Sequence, residues 1–303
     1  MRLSRLVCLA IAILGLSIIG APLVKSGADW LLRTFPGTSS LFDFDENAGI
    51  YDFGRVYRRL LLALTLLVGY FGRSWLGLIP LRKIPFDNRP ARQLGSGWAL
   101  GCLTFAFFLI NLLLLGERSI APRVPPDWAW WVGRGLVTGL VVGAIEETIF
   151  RGVLLGSLLT AHSKVPAVLI SSTLFSAVHF LRASVPVSFG ASFDVGLRAF
   201  LAHAAPLADP ATVSSFLGLT LLGVVLAFAY LWSRSLPFAI GLHAGWVFLG
   251  KIDGLLLRER SGIEWLYGHG GILSRPLGWA LLLLMLPLLR FWLSRPLTTD
   301  DTG

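Results

Sequence analysis

Residues 135–152 read GLVTGLVVGAIEETIFRG, a stretch written for hydrocarbon that nevertheless carries Glu146, Glu147 and Arg151. An ionisable side chain at mid-bilayer costs roughly 2.5–3.5 kcal/mol on insertion scales, so groups kept there usually face a bundle interior and serve function. In a helix Glu147 and Arg151, four residues apart, share one face with the acid N-terminal to the base, the favourable order. The two neutralise one another by a charge-assisted hydrogen bond. Glu146 is turned from Glu147 by about 100° and is left to act on something else. Ahead of the pair, Gly135, Gly139 and Gly143 recur every four residues, a small-residue stripe that lets a neighbouring helix approach closely. The carboxylates continue that stripe, which points them at the tightest helix contact and away from lipid.

The rest of the chain supports a membrane setting. Mean hydropathy is +0.73, and 55% hydrophobic with 14% charged residues is far from the roughly 25% charged of a soluble domain. The expected fold is all-α, a polytopic transmembrane bundle of about eight spans, from apolar runs at 6–24, 60–79, 98–115, 128–160, 165–181, 213–232, 236–250 and 277–292. The first run, behind Arg2 and Arg5, reads as a retained helix in preference to a cleaved signal peptide. The seventh is short enough to tilt or re-enter. Residues 25–57 read as a polar loop with an acidic cluster at Asp43, Asp45 and Glu46, and 183–211, with several Pro and the stretch VGLRAFLAHA, as a plain connector in preference to a lid lying in the membrane interface. On this reading nearly every acid, Asp29 included, lies in a loop or tail, and Glu146 and Glu147 are the exceptions.

A net charge of +9 would suggest nucleic acid in a soluble protein. Here the bases flank apolar spans, so they read as contacts to anionic headgroups, with no nucleic-acid partner. Arg82, Lys83, Arg89 and Arg92 mark a cytoplasmic loop and, with Arg2 and Arg5, place both termini inside. Trp128, Trp130 and Trp131 read as an interfacial anchor. Cys8 and Cys102 sit in apolar runs without motif spacing, so neither a disulfide nor a cysteine-ligated metal is expected.

Two histidines fall inside spans. In KVPAVLISSTLFSAVHFLRA, residues 164–183, His179 shares a helical face with Ser172 and Ser176. His243 lies in SLPFAIGLHAGWVFLGK, residues 235–251, while His162, His203 and His269 fall in loops. A lone buried His is usually a hydrogen-bonded structural residue. Two His and two Glu on three apolar helices need partners, and the cheapest partners are one another.

Glu146-Glu147-x-x-x-Arg151, then Phe175-x-x-x-His179, then His243 after a Ser-Leu-Pro turn resembles the three motifs of the CAAX-protease and bacteriocin-processing family, related to the Ras-converting CAAX endopeptidase. The resemblance covers about 128–251. It divides the chain into N-terminal helices and loops (1–127), a CAAX-protease-like catalytic core (128–251), and a C-terminal loop, last helix and tail (252–303). It implies an intramembrane glutamic endopeptidase without a cofactor. Glu146 would be the general base that polarises a water, and His179 its partner in deprotonating it. His243 would help hold the oxyanion, with Glu147, Arg151 and Phe175 in support. The family's Asn four residues after the third-motif His is Val247 here, and valine donates no side-chain hydrogen bond. Losing one oxyanion donor typically costs about 10²–10³ in turnover.

Other readings stay open at this point. Glu146, His179 and His243 have the ligand types of a His₂Glu zinc site with Glu147 as base. Against zinc stand the absence of HExxH and the presence of Arg151 beside the site. A non-catalytic relative would use the same cluster to bind a peptide or act as an immunity protein. A proton relay would also bury Glu and His, but no inverted repeat supports a transporter. The expected partners are a protein or peptide substrate and the lipid bilayer, in a multi-pass protein of a bacterial cell membrane.

Overall fold

The structure is a computed structural model that describes residues 3–38, 44–45, 49–80, 84, 89–121, 125–181, 183–259, 272–274 and 276–294. Arg82, Lys83, Asp43, Glu46 and His269 lie outside the described residues. Two compact units are formed, one from Met1–Leu78 with Ala177–Val213 and the other from Ile79–Ser176 with Ser214–Gly303.

The first unit is built on α1 (Leu3–Thr34), against which α2 (Phe53–Phe71) and α6 (Val195–Ala204) pack. Strand β1 (Ile50–Asp52) pairs antiparallel with β3 (Pro186–Ser188), with Tyr51 opposite Val187. Asp52 ends β1 and caps α2. Its Oδ1 accepts from the Gly54 amide at 2.9 Å and from the Val185 amide at 2.8 Å, tying helix start to strand start. Tyr51, Phe53, Tyr57, Val195 and Ala199 are buried together with Ala21 and Ala28 of α1. Two expectations are corrected here. Residues 183–211 are not a plain connector, because α6 presses Gly196 against the Ile18 carbonyl, where no Cβ would fit. And α1 runs past Lys25 to Thr34, so Asp29 is not in a loop: it is buried in a helix, its charge met by Lys25 one turn earlier at 2.9 Å.

The second unit places α8 (Leu236–Leu256) between α3 (Pro90–Leu114) and α4 (Trp128–Glu147). Helix α8 begins where Ser235 caps Phe238 N with Pro237 in the first turn, a strong start signal. Glycine sets both contacts. Gly97 and Gly101 of α3 meet the Phe238 and Leu242 carbonyls, while Gly139 and Gly143 of α4 lie where a Cβ would stand 2.6 Å from the Ala244 carbonyl and 2.9 Å from that of Ile240. The stripe at 135, 139 and 143 is therefore the seat of α8, as the sequence implies. Helix α4 continues through a π-helical segment, Thr148–Leu155, into a last turn, Gly156–Leu158. The remaining helices are α5 (Lys164–Phe180), α7 (Pro210–Ser233) and α9 (Pro276–Ser294). The short strands β2 (Arg118–Ile120) and β4 (Leu257–Glu259) pair antiparallel.

Among the described residues five helices are long and apolar enough to cross a membrane: α1, α3, α7, α8 and α9. The chain is a helical membrane bundle, but the expected count of about eight is too high. Helix α2 carries Arg55, Arg58 and Arg59 in its first turns. The 20 residues of α4 include Arg134 and both glutamates, and α5 has only 17 residues. Conversely α8 is not short: it runs on through Lys251 and Asp253 to 21 residues. Trp128 and Trp130 are well exposed at the start of α4, and Trp131 donates to Asp127 at 2.8 Å, as an anchor at a helix end would.

Candidate active site

The stripe that brings α4 onto α8 ends at the carboxylates, and this is where the polar cluster forms. Glu147 (0% exposed), Arg151 (1%) and His243 (4%) are buried together. Glu147 Oε1 accepts from Arg151 Nη1 at 2.8 Å and lies 2.8 Å from His243 Nδ1. An ionised carboxylate only accepts, so Nδ1 carries the proton and the ring turns Nε2 the other way. Nε2 stands 3.9 Å from Oε2 of Glu146, whose side chain keeps 25% exposure. One glutamate thus anchors the imidazole while its neighbour in sequence faces the opposite nitrogen.

Arg151 lies at the turn where the backbone passes from α to π geometry, a deviation often found at functional sites. Its Nη2 donates to the Gly223 carbonyl of α7 at 3.1 Å, and its guanidinium sits 4.5 Å over the Phe175 ring. Phe175 in turn stands edge-on to Phe150 at 5.3 Å and to His243 at 6.1 Å between centroids. The motif phenylalanine therefore walls the ion pair on one side and the imidazole on the other. Gly223 lets α7 come this close, since a Cβ there would meet Ser172 at 2.9 Å.

Of the residues singled out in the sequence, Glu146, Glu147, Arg151, Phe175 and His243 come together in the second unit. His179 stands on the last turn of α5, one turn past Phe175, and falls in the first unit. Ser176, on the same face, donates to the Phe216 carbonyl at 2.8 Å. The Gly223 carbonyl is a participant that the sequence does not announce, because a backbone acceptor in an apolar helix leaves no trace in residue type. Among the described residues no group of three or more His, Cys, Asp and Glu is arranged to hold a metal ion. The one carboxylate oxygen bonded to His243 is already shared with a guanidinium.

His243 also lines a cavity of about 570 Å³ with Leu100, Phe108, Leu222, Val247 and Met285. Val247, standing where the related motif has Asn, is part of this apolar wall.

Comparison with known proteins matches residues 128–249 to the family described as type II CAAX prenyl endopeptidase Rce1-like. No curated protein and no solved structure gives a significant match. The matched residues run from the first turn of α4 into α8 and contain all three motifs, so over this stretch, less than half of the chain, the core of this helical membrane protein is similar to the CAAX-protease family.

Proposed function

We propose that the chain is an intramembrane endopeptidase of the CAAX type that hydrolyses a peptide bond with a water activated at Glu146. The observation that supports this best is the division of labour between adjacent glutamates. Glu147 is committed to Arg151 and His243 through one oxygen, while Glu146 keeps partial exposure opposite His243 Nε2. In the reaction Glu146 takes a proton from water, the hydroxide adds to the scissile carbonyl, and the proton passes to the leaving amine as the C–N bond breaks. His243, oriented by Glu147 as an imidazole is oriented by a carboxylate in a triad, receives that proton from Glu146 at Nε2, holds the oxyanion through the N–H so formed, and gives the proton up to the leaving amine. The part of His179 in the reaction rests on the FxxxH motif alone.

The substrate is a protein or peptide that presents an apolar portion. The cavity beside His243 is lined almost wholly by aliphatic and aromatic side chains, and the description of the matched family names prenyl substrates. Val247 in the wall favours a second reading, a relative that binds such peptides without cutting them.

The deciding experiment compares peptide termini in membranes of cells producing the wild type and Glu146→Gln, both shown to accumulate. The protease reading expects a set of new N-termini with the wild type that is missing from the variant. Identical termini would leave the binding reading in possession.

A further inference from the structure

The first unit carries a second polar cavity, of about 380 Å³, between α1, β3 and α6. We propose that it binds a phosphate group, carried on an anionic lipid headgroup or free in solution. Its lining includes Lys25, Arg198, Ser188 and Ser192, with no carboxylate. Lys25 directly follows the apolar run 6–24 and lies within α1, which continues to Thr34.

Lys25 is 1% exposed, and its position is fixed from two directions. Its ammonium donates to Asp29 Oδ2 at 2.9 Å and to the Gly190 carbonyl at 2.7 Å. An ammonium has three donors; the Lys25 nitrogen also stands 5.9 Å from the Tyr51 ring centroid, and among the described residues only two of the three donors are met by oxygen. Asp29 does not compete for the cavity, because its oxygens also accept from the Tyr51 hydroxyl at 2.6 Å and the Gly190 amide at 3.0 Å. Burial, and then the hydrogen bond to Asp29, raise the Tyr51 phenol well above its ordinary pKa, so it remains a donor there. Gly190 makes both backbone bonds from φ +110°, a conformation that side-chain-bearing residues rarely adopt.

Across the cavity Arg198 is held by Asp194 at 2.8 Å through Nε and by the Ser192 hydroxyl at 2.7 Å through Nη2. Among the described residues no hydrogen bond engages its Nη1, which is offered to a ligand. A third cation, Arg33, lies 4.9 Å over the ring of Phe189, itself a lining residue. Of the two carboxylates that hold Lys25 and Arg198, Asp194 is largely in solvent. A prepositioned lysine and a guanidinium facing one polar space form a phosphate-recognition set, and the ordering of Lys25 is complete before any ligand arrives.

The test uses the full chain in neutral detergent, with thermal unfolding followed during titration. The probes are phosphatidylglycerol, phosphatidylcholine and inorganic phosphate. Phosphatidylglycerol is expected to raise the unfolding midpoint above the level reached with phosphatidylcholine, and Arg198→Gln to need about tenfold more of it for half the effect. A rise with inorganic phosphate alone assigns the site to the free anion. Arg198 is half exposed, so this variant folds even where Lys25→Met does not. If neither phosphatidylglycerol nor phosphate exceeds phosphatidylcholine, or if Arg198→Gln titrates like the wild type, the site is not there.

Discussion

Replacing Glu147 by Gln leaves the Arg151 guanidinium inside the bundle without its counter-charge, and the cost is calculable in outline. The pair is separated by 2.8 Å and its side chains are 1% and 0% exposed. At an effective dielectric constant of about 20 the attraction is about 6 kcal/mol. Part of that offsets the desolvation of two ions, and breaking such a buried pair by removing one partner costs about 3–5 kcal/mol net. The Gly223 carbonyl and the Phe175 face remain to Arg151 in the variant, which places the expected loss at the lower end, about 3 kcal/mol. The double variant Glu147→Gln, Arg151→Met removes both charges at similar volume and should recover most of it, within about 1–2 kcal/mol of the wild type. Reversible unfolding in mixed micelles with an increasing fraction of denaturing detergent gives all three stabilities. A Glu147→Gln loss below about 1 kcal/mol, or a double variant no better than the single, would refute the claim that this carboxylate offsets the burial of Arg151.

Gly143→Val puts a branched side chain where a Cβ already stands 2.9 Å from the Ile240 carbonyl; it should destabilise the fold by about 1–3 kcal/mol and abolish the wild-type termini even in the fraction that folds. Val247→Asn restores an amide donor one turn from His243 and should leave processing equal or faster in a time course of the same termini; a slower variant would count against an oxyanion role at this position. His203 is buried on α6 with Nδ1 2.8 Å from the Ala199 carbonyl, and burial lowers its pKa. The unfolded chain then binds the proton more readily, so stability is full above the ordinary value near 6.5 and falls as pH drops through it towards the folded value; His203→Gln should flatten the unfolding midpoint between pH 7.5 and 5, and an unchanged slope would exclude His203 as the source.

What could be read in the sequence is what depends on short helical spacing. Glu147 and Arg151 meet at 2.8 Å because four residues is one turn, and that pair holds although the backbone turns π-helical at Thr148. The glycine stripe names the face that α8 covers, and Glu147, four residues past Gly143, inherits the place against His243. Other features escape such reading because composition and geometry diverge there. The polar residues at 25 and 29 look like the end of a span, yet a lysine and an aspartate one turn apart neutralise each other and let α1 continue inside the fold. Span counting fails for the same reason in reverse, since α4 and α5 are apolar enough to read as spans but are broken by charge or too short. The Gly223 carbonyl and the cavity wall at Val247 depend on helices far apart in the chain. In both units, then, the cation that matters is held by a carboxylate four residues away and by a backbone carbonyl from a distant segment, Gly223 for Arg151 and Gly190 for Lys25. Only the first of those two holds can be inferred from spacing, because the second is decided by where another segment comes to rest.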